Sequence, residues 1–367
     1  MPSVLASNSA ADILVASLSG DTAYFDGEGF GGVAASGPEA ILEGGWDDWQ
    51  IIEESLARGA EGGLAGWFDY QGNFRFGDFR RWDTAADSRV LPAASPRARP
   101  HFLPGIGKEA WIERVGRAHE LIAAGDIYQV NLTHTLSAPW PDDPALFYPL
   151  LRAASPAPYA CFVRLGDTAV LSASPECFLR IEGRDIVTRP IKGTRPRSSR
   201  DAAAARELLA SEKERAELVM ITDLERNDLG QVCEYGSVHV TALCELQTFA
   251  QVHHLVSTVA GRLRPEVTPV QAVRACYPGG SITGAPKKRA REIIAELEPG
   301  PRGIYTGAVG YFGRDGRAVF NIAIRTLVVR DGLATYGVGA GIVADSDPAA
   351  EYDETLHKAA GLFAALS

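Results

Sequence analysis

Cysteine and methionine are scarce, with five and two in 367 residues. The five (Cys161, Cys177, Cys233, Cys244 and Cys276) are odd in number, and none is spaced as a metal-binding pair. No disulfide framework or zinc module is therefore expected. Reduced thiols in a cytoplasmic protein are the expectation. Basic residues are missing altogether before Arg58. An N-terminus with no cationic region does not read as a signal or transit peptide. No apolar run approaches the ~18 residues of a membrane span. Internal repeats and low-complexity tracts are missing too. Lys and Arg total 36 against 46 Asp and Glu, a net charge of −10 without a basic stripe, which argues against a nucleic-acid partner.

What is present is a globular composition. Apolar residues make up 46% and charged residues 22%, enough to exclude disorder and fibrous classes. The length suits two domains or one large α/β unit. All of the net charge falls before Arg58, where ten acids run from Asp12 to Glu54; the rest of the chain balances at 36 against 36. Those early acids read as a solvated face, or as part of a partner surface.

The segment Pro92–Pro104 carries four prolines and reads as a connection. Lys108 to Ala124 has helical spacing of Trp111, Val115, Ala118, Leu121 and Ile122. Strands are expected at 127–136, 159–165, 168–173, 177–182, 185–191, 236–242, 246–249, 253–261, 306–313, 317–330 and 333–340. Helices are expected at 202–224, 268–275, 286–297 and 348–366. Strands come in antiparallel-looking runs without strict βαβ alternation, which favours α+β or mixed antiparallel architecture.

Several constellations could carry chemistry. Glu351, Glu354 and Lys358 share one face of the last helix, and Glu214 and Glu217 are one turn apart on the middle helix. A solvated charged face explains either group; a hard-cation site built from both helices is the sharper alternative. In Pro190-Ile191-Lys192-Gly193-Thr194, Lys192 is either an edge-strand lysine that blocks aggregation or a nucleophile in a partly dry site. A hairpin of 177–182 and 185–191 brings Glu176 and Lys192 to the same end, where an acid and an amine could cooperate. Arg189, Arg195, Arg197 and Arg200, interleaved with proline and glycine, flank a turn more readily than they form a phosphate patch. The loop Gly279–Lys287 runs into a helix and offers either an anion site or a plain cap. Gly337-Val338-Gly339-Ala340-Gly341 either cradles a carboxylate or packs tightly as a strand end. Of His253 and His254, alternation turns one inward and one outward.

Taken in order, these segments closely resemble the chorismate-utilising enzymes. The matches are Asp126–Leu132, Ser174-Pro175-Glu176, Pro190–Arg195, Lys213–Glu217, Asp223–Leu229, His254–Ser257, Gly280–Lys287, Tyr305–Gly310 and Gly339–Lys358. The resemblance implies one large α/β (α+β) unit: two stacked antiparallel sheets, helices outside, the site in a cleft. Residues 1–104 would be a divergent segment adding strands to the same fold, and 105–367 the chorismate-binding core.

The resemblance also implies roles. Glu214, Glu217, Glu351 and Glu354 match an Mg²⁺ site that receives a carboxylate of chorismate. Tyr305 and Arg325 match contacts to the enolpyruvyl carboxylate. Lys358, Thr194 and the backbone around Gly284, Ala285, Gly339 and Gly341 match further substrate contacts. Glu176 matches the general acid, and His254 a histidine near the ring. Gln129 stands where the isochorismate and salicylate branches carry a lysine that acts on water, so water addition is not implied. Lys192 stands where the anthranilate branch typically carries alanine, and matches the aminodeoxychorismate synthase component I branch. In that branch the lysine attacks ring carbon 2, ammonia adds at carbon 4, and the product leads to 4-aminobenzoate and folate. No cysteine sits in a nucleophile elbow, so the ammonia is expected from a separate glutamine amidotransferase subunit. The alternatives are anthranilate synthase component I and a chorismate-binding protein without catalysis. The Leu-Leu-Glu-Ser pattern of tryptophan-regulated members is not found, which makes feedback by tryptophan doubtful.

Overall fold

The computed structural model describes residues 20–83, 99–197, 201–249 and 252–367. Asp12, Arg200 and the first part of the proline-rich connection lie outside them. In chain order, β1 (Thr22–Phe25), β2 (Val33–Ser36), β3 (Ala40–Gly44), α1 (Gln50–Leu56), β4 (Gly63–Phe68) and β5 (Phe74–Phe79) come first. Then follow β6 (Leu103–Pro104), α2 (Lys108–Ala123), β7 (Gln129–Pro139), α3 (Pro144–Ala154), β8 (Tyr159–Leu165) and β9 (Thr168–Ser174). Next are β10 (Cys177–Glu182), β11 (Asp185–Arg189), β12 (Ile191–Pro196), α4 (Asp201–Ala210), α5 (Glu212–Gly230), β13 (His239–Thr248) and β14 (Val252–Arg262). The chain ends with α6 (Pro269–Cys276), β15 (Gly284–Ala285), α7 (Lys287–Leu297), β16 (Ala308–Gly313), β17 (Ala318–Ile322), β18 (Thr326–Arg330), β19 (Leu333–Ile342), α8 (Pro348–His357) and α9 (Ala360–Leu366).

The strands form two antiparallel sheets. A nine-stranded sheet runs β15-β7-β19-β18-β9-β8-β1-β2, with β6 also on β7. A ten-stranded sheet runs β12-β14-β11-β10-β17-β16-β4-β5-β3, with β13 also on β14. Period-two alternation divides their side chains between layers. From β8, Tyr159, Cys161, Val163 and Leu165 meet Ala65, Trp67, Phe79 and Tyr311 of the other sheet. Phe162, on the opposite face of β8, packs with Tyr148 and Leu151 of α3. Leu64 and Phe68 of β4 face the helical layer containing Trp49, Trp111 and Val273. The expected two-sheet α+β architecture is thus observed. β9, β16 and β17 are buried at every position, because both faces of the sheets are covered at these central strands. That is why they read as apolar runs and not as clean alternation.

Three expected elements are divided. The 202–224 helix breaks at Ser211, whose hydroxyl caps α5 by accepting from Glu214 N–H; the second part runs on to Gly230. The 348–366 helix divides after His357. The 317–330 strand is two strands in different sheets, with Arg325 at φ +49° between them. The two short strands expected within 236–249 are one, β13, with irregular register against β14. The early acids are not a uniform solvated face: Asp26 is buried against Arg152 at 3.2 Å and Tyr148, and Asp21 accepts from Gly166 N–H at 2.6 Å. All five cysteines are buried free thiols. Among the described residues no helix is long and apolar enough to cross a membrane.

Candidate active site

Two places where the chain passes from one sheet to the other build the centre of the site. Between β9 and β10 the crossing carries Glu176; between β17 and β18 it carries Arg325. The crossings are tied together. Ile322 N–H donates to Glu176 O at 3.1 Å, Ala173 N–H to Arg325 O at 3.0 Å, and the Ser174 hydroxyl to Ile322 O at 2.6 Å. The Glu176 carboxyl is buried, and burial pushes its pKa up to about 7. The Ser281 hydroxyl, Lys192, the Ile191 N–H and Arg325 pull the other way without cancelling the burial. Glu176 is therefore a carboxyl that holds its proton near neutrality.

Lys192 lies on β12, opposite Leu255 of β14. The register slips between Lys192 and Thr194, and the extra residue is Gly193 at φ +70°. Such a bulge re-aims the neighbouring side chains. A Cβ at 193 would sit 3.2 Å from the Glu214 carboxyl and 2.7 Å from Leu208, so close packing and backbone conformation both select glycine there. Lys192 is largely covered, its Nζ 3.8 Å from Glu217 Oε2; it is not a solvated edge lysine. Its Nζ would also lie 3.3 Å from a Cβ at 341, where Gln129 Nε2 comes closer still. Lys192 of one sheet thus meets Gly341 and Gln129 of the other.

His254 reaches the same bulge. Its Nδ1 lies 2.9 Å from Thr194 Oγ1 and 3.2 Å from Gly193 O. A carbonyl only accepts, so Nδ1 is assigned the proton. Nε2 is buried without a hydrogen-bond partner. Burial and the charge of Arg325 lower the pKa of His254 to about 4, which keeps the ring neutral. The expectation that one histidine of the pair faces outward is corrected: His253 and His254 are both buried, His253 with its ring nitrogens 2.8 Å from Asp201 and 2.9 Å from Thr248, because α4 covers that face of β14.

The four glutamates come from α5 and α8. Burial raises Glu217, and Glu214 and Glu351 add to the rise by repulsion. Burial likewise raises Glu351, with Glu354 adding to it and the Ser346 hydroxyl, which donates at 2.7 Å, opposing it. Glu354 is also penalised by burial, yet Lys358, Lys192 and Lys213 bring it below the ordinary value. Among the described residues no three His, Cys, Asp or Glu side chains close on one point as a metal cluster. The donor set nevertheless fits Mg²⁺, which takes one or two carboxylates with water and substrate oxygens completing the shell. The mutual repulsion of these carboxylates is what a divalent cation would relieve.

The remaining expected contacts are dispersed. Lys358 Nζ lies 2.9 Å from Glu354 and donates to Gly339 O at 2.8 Å. Gly284 and Ala285 form β15 against Val130 and Gln129. The Tyr305 ring packs over Gly337 of β19 and lines a cavity of about 780 Å³ with Trp67, Arg75, Arg302 and Thr326. Of the residues given site roles by the resemblance, Tyr305 alone lines that cavity. Arg189, Arg195 and Arg197 bond to Gln247, Glu207 and Asp201 at 2.9, 2.9 and 3.0 Å, so all three are committed to protein side chains; the turn they were expected to flank lies partly outside the described residues. In the Gly279–Lys287 loop, Lys287 is paired to Asp228, and Gly280 N–H is taken by Glu225 at 3.0 Å. Sequence reasoning gave no role to Ser281 or Glu225. The signal for Glu225 was a glutamate on the same helix face as Leu218, Ile221 and Leu229.

Residues 78–364 match the family described as chorismate binding enzyme. The chain is 48% identical over 288 residues to anthranilate synthase component 1 of Streptomyces coelicolor, covering 77% of this chain and 56% of that one. It is also 48% identical over 302 residues to aminodeoxychorismate synthase of Streptomyces pristinaespiralis, covering 78% and 42%. The structure resembles anthranilate synthase component I from Streptococcus pneumoniae with a TM-score of 0.78 and 30% identity, over 89% of this chain and 90% of that one. The matched stretch thus spans only about half the length of these curated relatives.

Proposed function

The chain belongs to the chorismate binding enzyme family, and from that premise we propose that it is an aminodeoxychorismate synthase component I. The observation that carries this reading is Lys192, a covered primary amine held by a glycine bulge beside Glu217, Gln129 and Gly341. An amine there can act as nucleophile; the alanine typical of the anthranilate branch cannot.

In the proposed reaction Lys192 Nζ bonds to ring carbon 2 of chorismate. Glu176 gives its proton to the hydroxyl leaving carbon 4, which departs as water. Ammonia then adds at carbon 4, the Lys192–carbon bond breaks, and the proton shed by the new amine restores Glu176. Arg325 and Tyr305 would hold the enolpyruvyl carboxylate, an Arg–carboxylate pair being among the stronger polar contacts. Thr194, Lys358 and the backbone of Gly284, Ala285, Gly339 and Gly341 would orient the rest. Neutral His254 would present Nε2 to the ring. Glu214, Glu217, Glu351 and Glu354 would hold Mg²⁺, which supplies charge neutralisation for a substrate carboxylate. The ammonia donor would be a glutamine amidotransferase subunit, with the product bound for 4-aminobenzoate and folate.

Purified protein given chorismate, Mg²⁺ and an ammonium salt is expected to form 4-amino-4-deoxychorismate. Anthranilate synthase component I is the second reading, favoured by the equal 48% identities. Anthranilate as the main product would replace the first reading with the second.

A further inference from the structure

A buried ion pair lies in the connection between α7 and β16. The side chains of Arg302 and Glu298 are 1% and 5% exposed. They pair bidentately, Nε with Oε2 and Nη2 with Oε1, at 2.8 Å each. A guanidinium has five N–H donors, and Arg302 uses them all. Besides Glu298 it donates to Ile282 O at 2.9 Å, Asn131 O at 2.5 Å and Thr306 Oγ1 at 3.4 Å. Its Cζ lies 4.4 Å from the centre of the Tyr70 ring. Glu298 Oε1 also accepts from the Thr133 N–H at 2.9 Å and from the Thr133 hydroxyl at 3.0 Å.

These partners belong to separate segments of the candidate site. Asn131 and Thr133 of β7 stand opposite Gly341 and Gly339 of β19. Ile282 ends the 3₁₀ turn that leads into Gly284 and Ala285. Thr306 directly follows Tyr305 and has φ +61°. A β-branched residue rarely takes that conformation, which persists only where the surroundings over-determine it. Here they do. The Thr306 hydroxyl accepts from Arg302 and donates to Tyr305 O at 2.6 Å, and the Thr306 N–H donates to Ala323 O at 2.9 Å. The Tyr305 ring is thereby left over Gly337. Stability alone does not call for this arrangement, since a buried ion pair loses its hydration and adds little net stability. What a fully bonded guanidinium adds is geometry, because its planar fork fixes a direction at every donor.

We propose that Arg302 is a positioning residue for Tyr305: it ties the strained Thr306 turn to the Ile282 and Asn131 carbonyls, and so sets the phenol where the substrate carboxylate would be met. This rests on the reading of Tyr305 as a contact to that carboxylate.

The test follows loss of chorismate, whatever the product, per folded active site in Arg302→Lys, Thr306→Gly and Tyr305→Phe. Lysine keeps a charge for Glu298 but cannot serve the three further acceptors together. We expect Arg302→Lys to raise KM for chorismate about tenfold with kcat little changed, the pattern of lost uniform binding. In a Tyr305→Phe background the same change should add about twofold or less, because residues acting through one contact are not additive. Glycine accepts a positive φ without strain, so Thr306→Gly should fold where Arg302→Lys does not. It should raise KM in the same way while its urea midpoint stays near wild type. A wild-type KM in either folded variant, or the full tenfold step retained beside Tyr305→Phe, would overturn the proposal and leave the ion pair a role in folding alone. A wild-type protein that neither binds nor consumes chorismate overturns the functional reading instead.

Discussion

Glu176 shows how much one residue's surroundings decide. In water a glutamate is ionised at neutral pH and cannot be an acid; here burial outweighs Ser281, Lys192 and Arg325 and sets its pKa at about 7. The sign follows from the raised value. The protonated, donating form dominates below about 7 and is lost as pH rises through it, so kcat should fall on the alkaline side. His254, lowered to about 4, is already neutral at pH 5 to 7 and should add no limb there. Glu176→Gln should reduce kcat by about 10²–10⁴-fold, the usual range for a positioned acid, and remove the limb. A wild-type rate that instead climbs through pH 7 would assign Glu176 the opposite role. For Lys192→Ala, intact-protein mass spectrometry should find no chorismate-derived adduct at that position; an unchanged adduct would discard the lysine as nucleophile. Lys192 and Glu176 were legible because their motifs are contiguous. Glu225 was not, because a buried glutamate and an exposed one look alike until the helix face is known to be covered.

At the scale of elements, the bulge in β12 is the device that matters most. Gly193 supplies a positive φ and leaves room for Glu214 and Leu208. Gly193→Ala should cost about 1–2 kcal/mol for the left-handed conformation alone, readable by urea unfolding. It should also lower kcat sharply, because Lys192, Thr194 and His254 all take their placement from that bulge. Full activity in a destabilised Gly193→Ala protein would show that the bulge matters only to folding. The glycine was visible in the sequence as a place for close approach, but what approaches is Glu214 of α5, which no local pattern identifies. Ser211 is similar: its capping role needed α4 and α5 to turn at that point, and continuous helical spacing concealed the break.

At the scale of the molecule, the early acids take on structural meaning. Asp26, at the end of β1, is wholly buried against Arg152 and Tyr148 of α3, tying the N-terminal strands to a helix over the first sheet. Asp26→Ala would leave a guanidinium and a phenol short of their acceptor, at about 1–3 kcal/mol. Urea unfolding should register that loss while KM for chorismate stays as in wild type; a rise in KM would connect this corner to the substrate. The net charge of −10 is then no simple mismatch with an anionic substrate. Part of it is neutralised inside the fold, and three of the candidate site glutamates, Glu217, Glu351 and Glu354, each lie close to two or more of Lys192, Lys213 and Lys358.

By itself the sequence determined the elements with strong periodicity or clear caps, the class of fold they imply, and the candidate residues that share one helix face or one contiguous motif. These depend on neighbours within a few positions, where spacing and turn chemistry are sufficient. Only the tertiary structure decided which carboxyls are dry, that Ser281 comes beside Glu176, and that 317–330 changes sheets at Arg325. Those features arise where the chain crosses from one sheet to the other, so distant segments set the burial and the partners. Side-chain chemistry is written locally, but the dielectric and hydrogen bonds that tune it come from whatever folds on top.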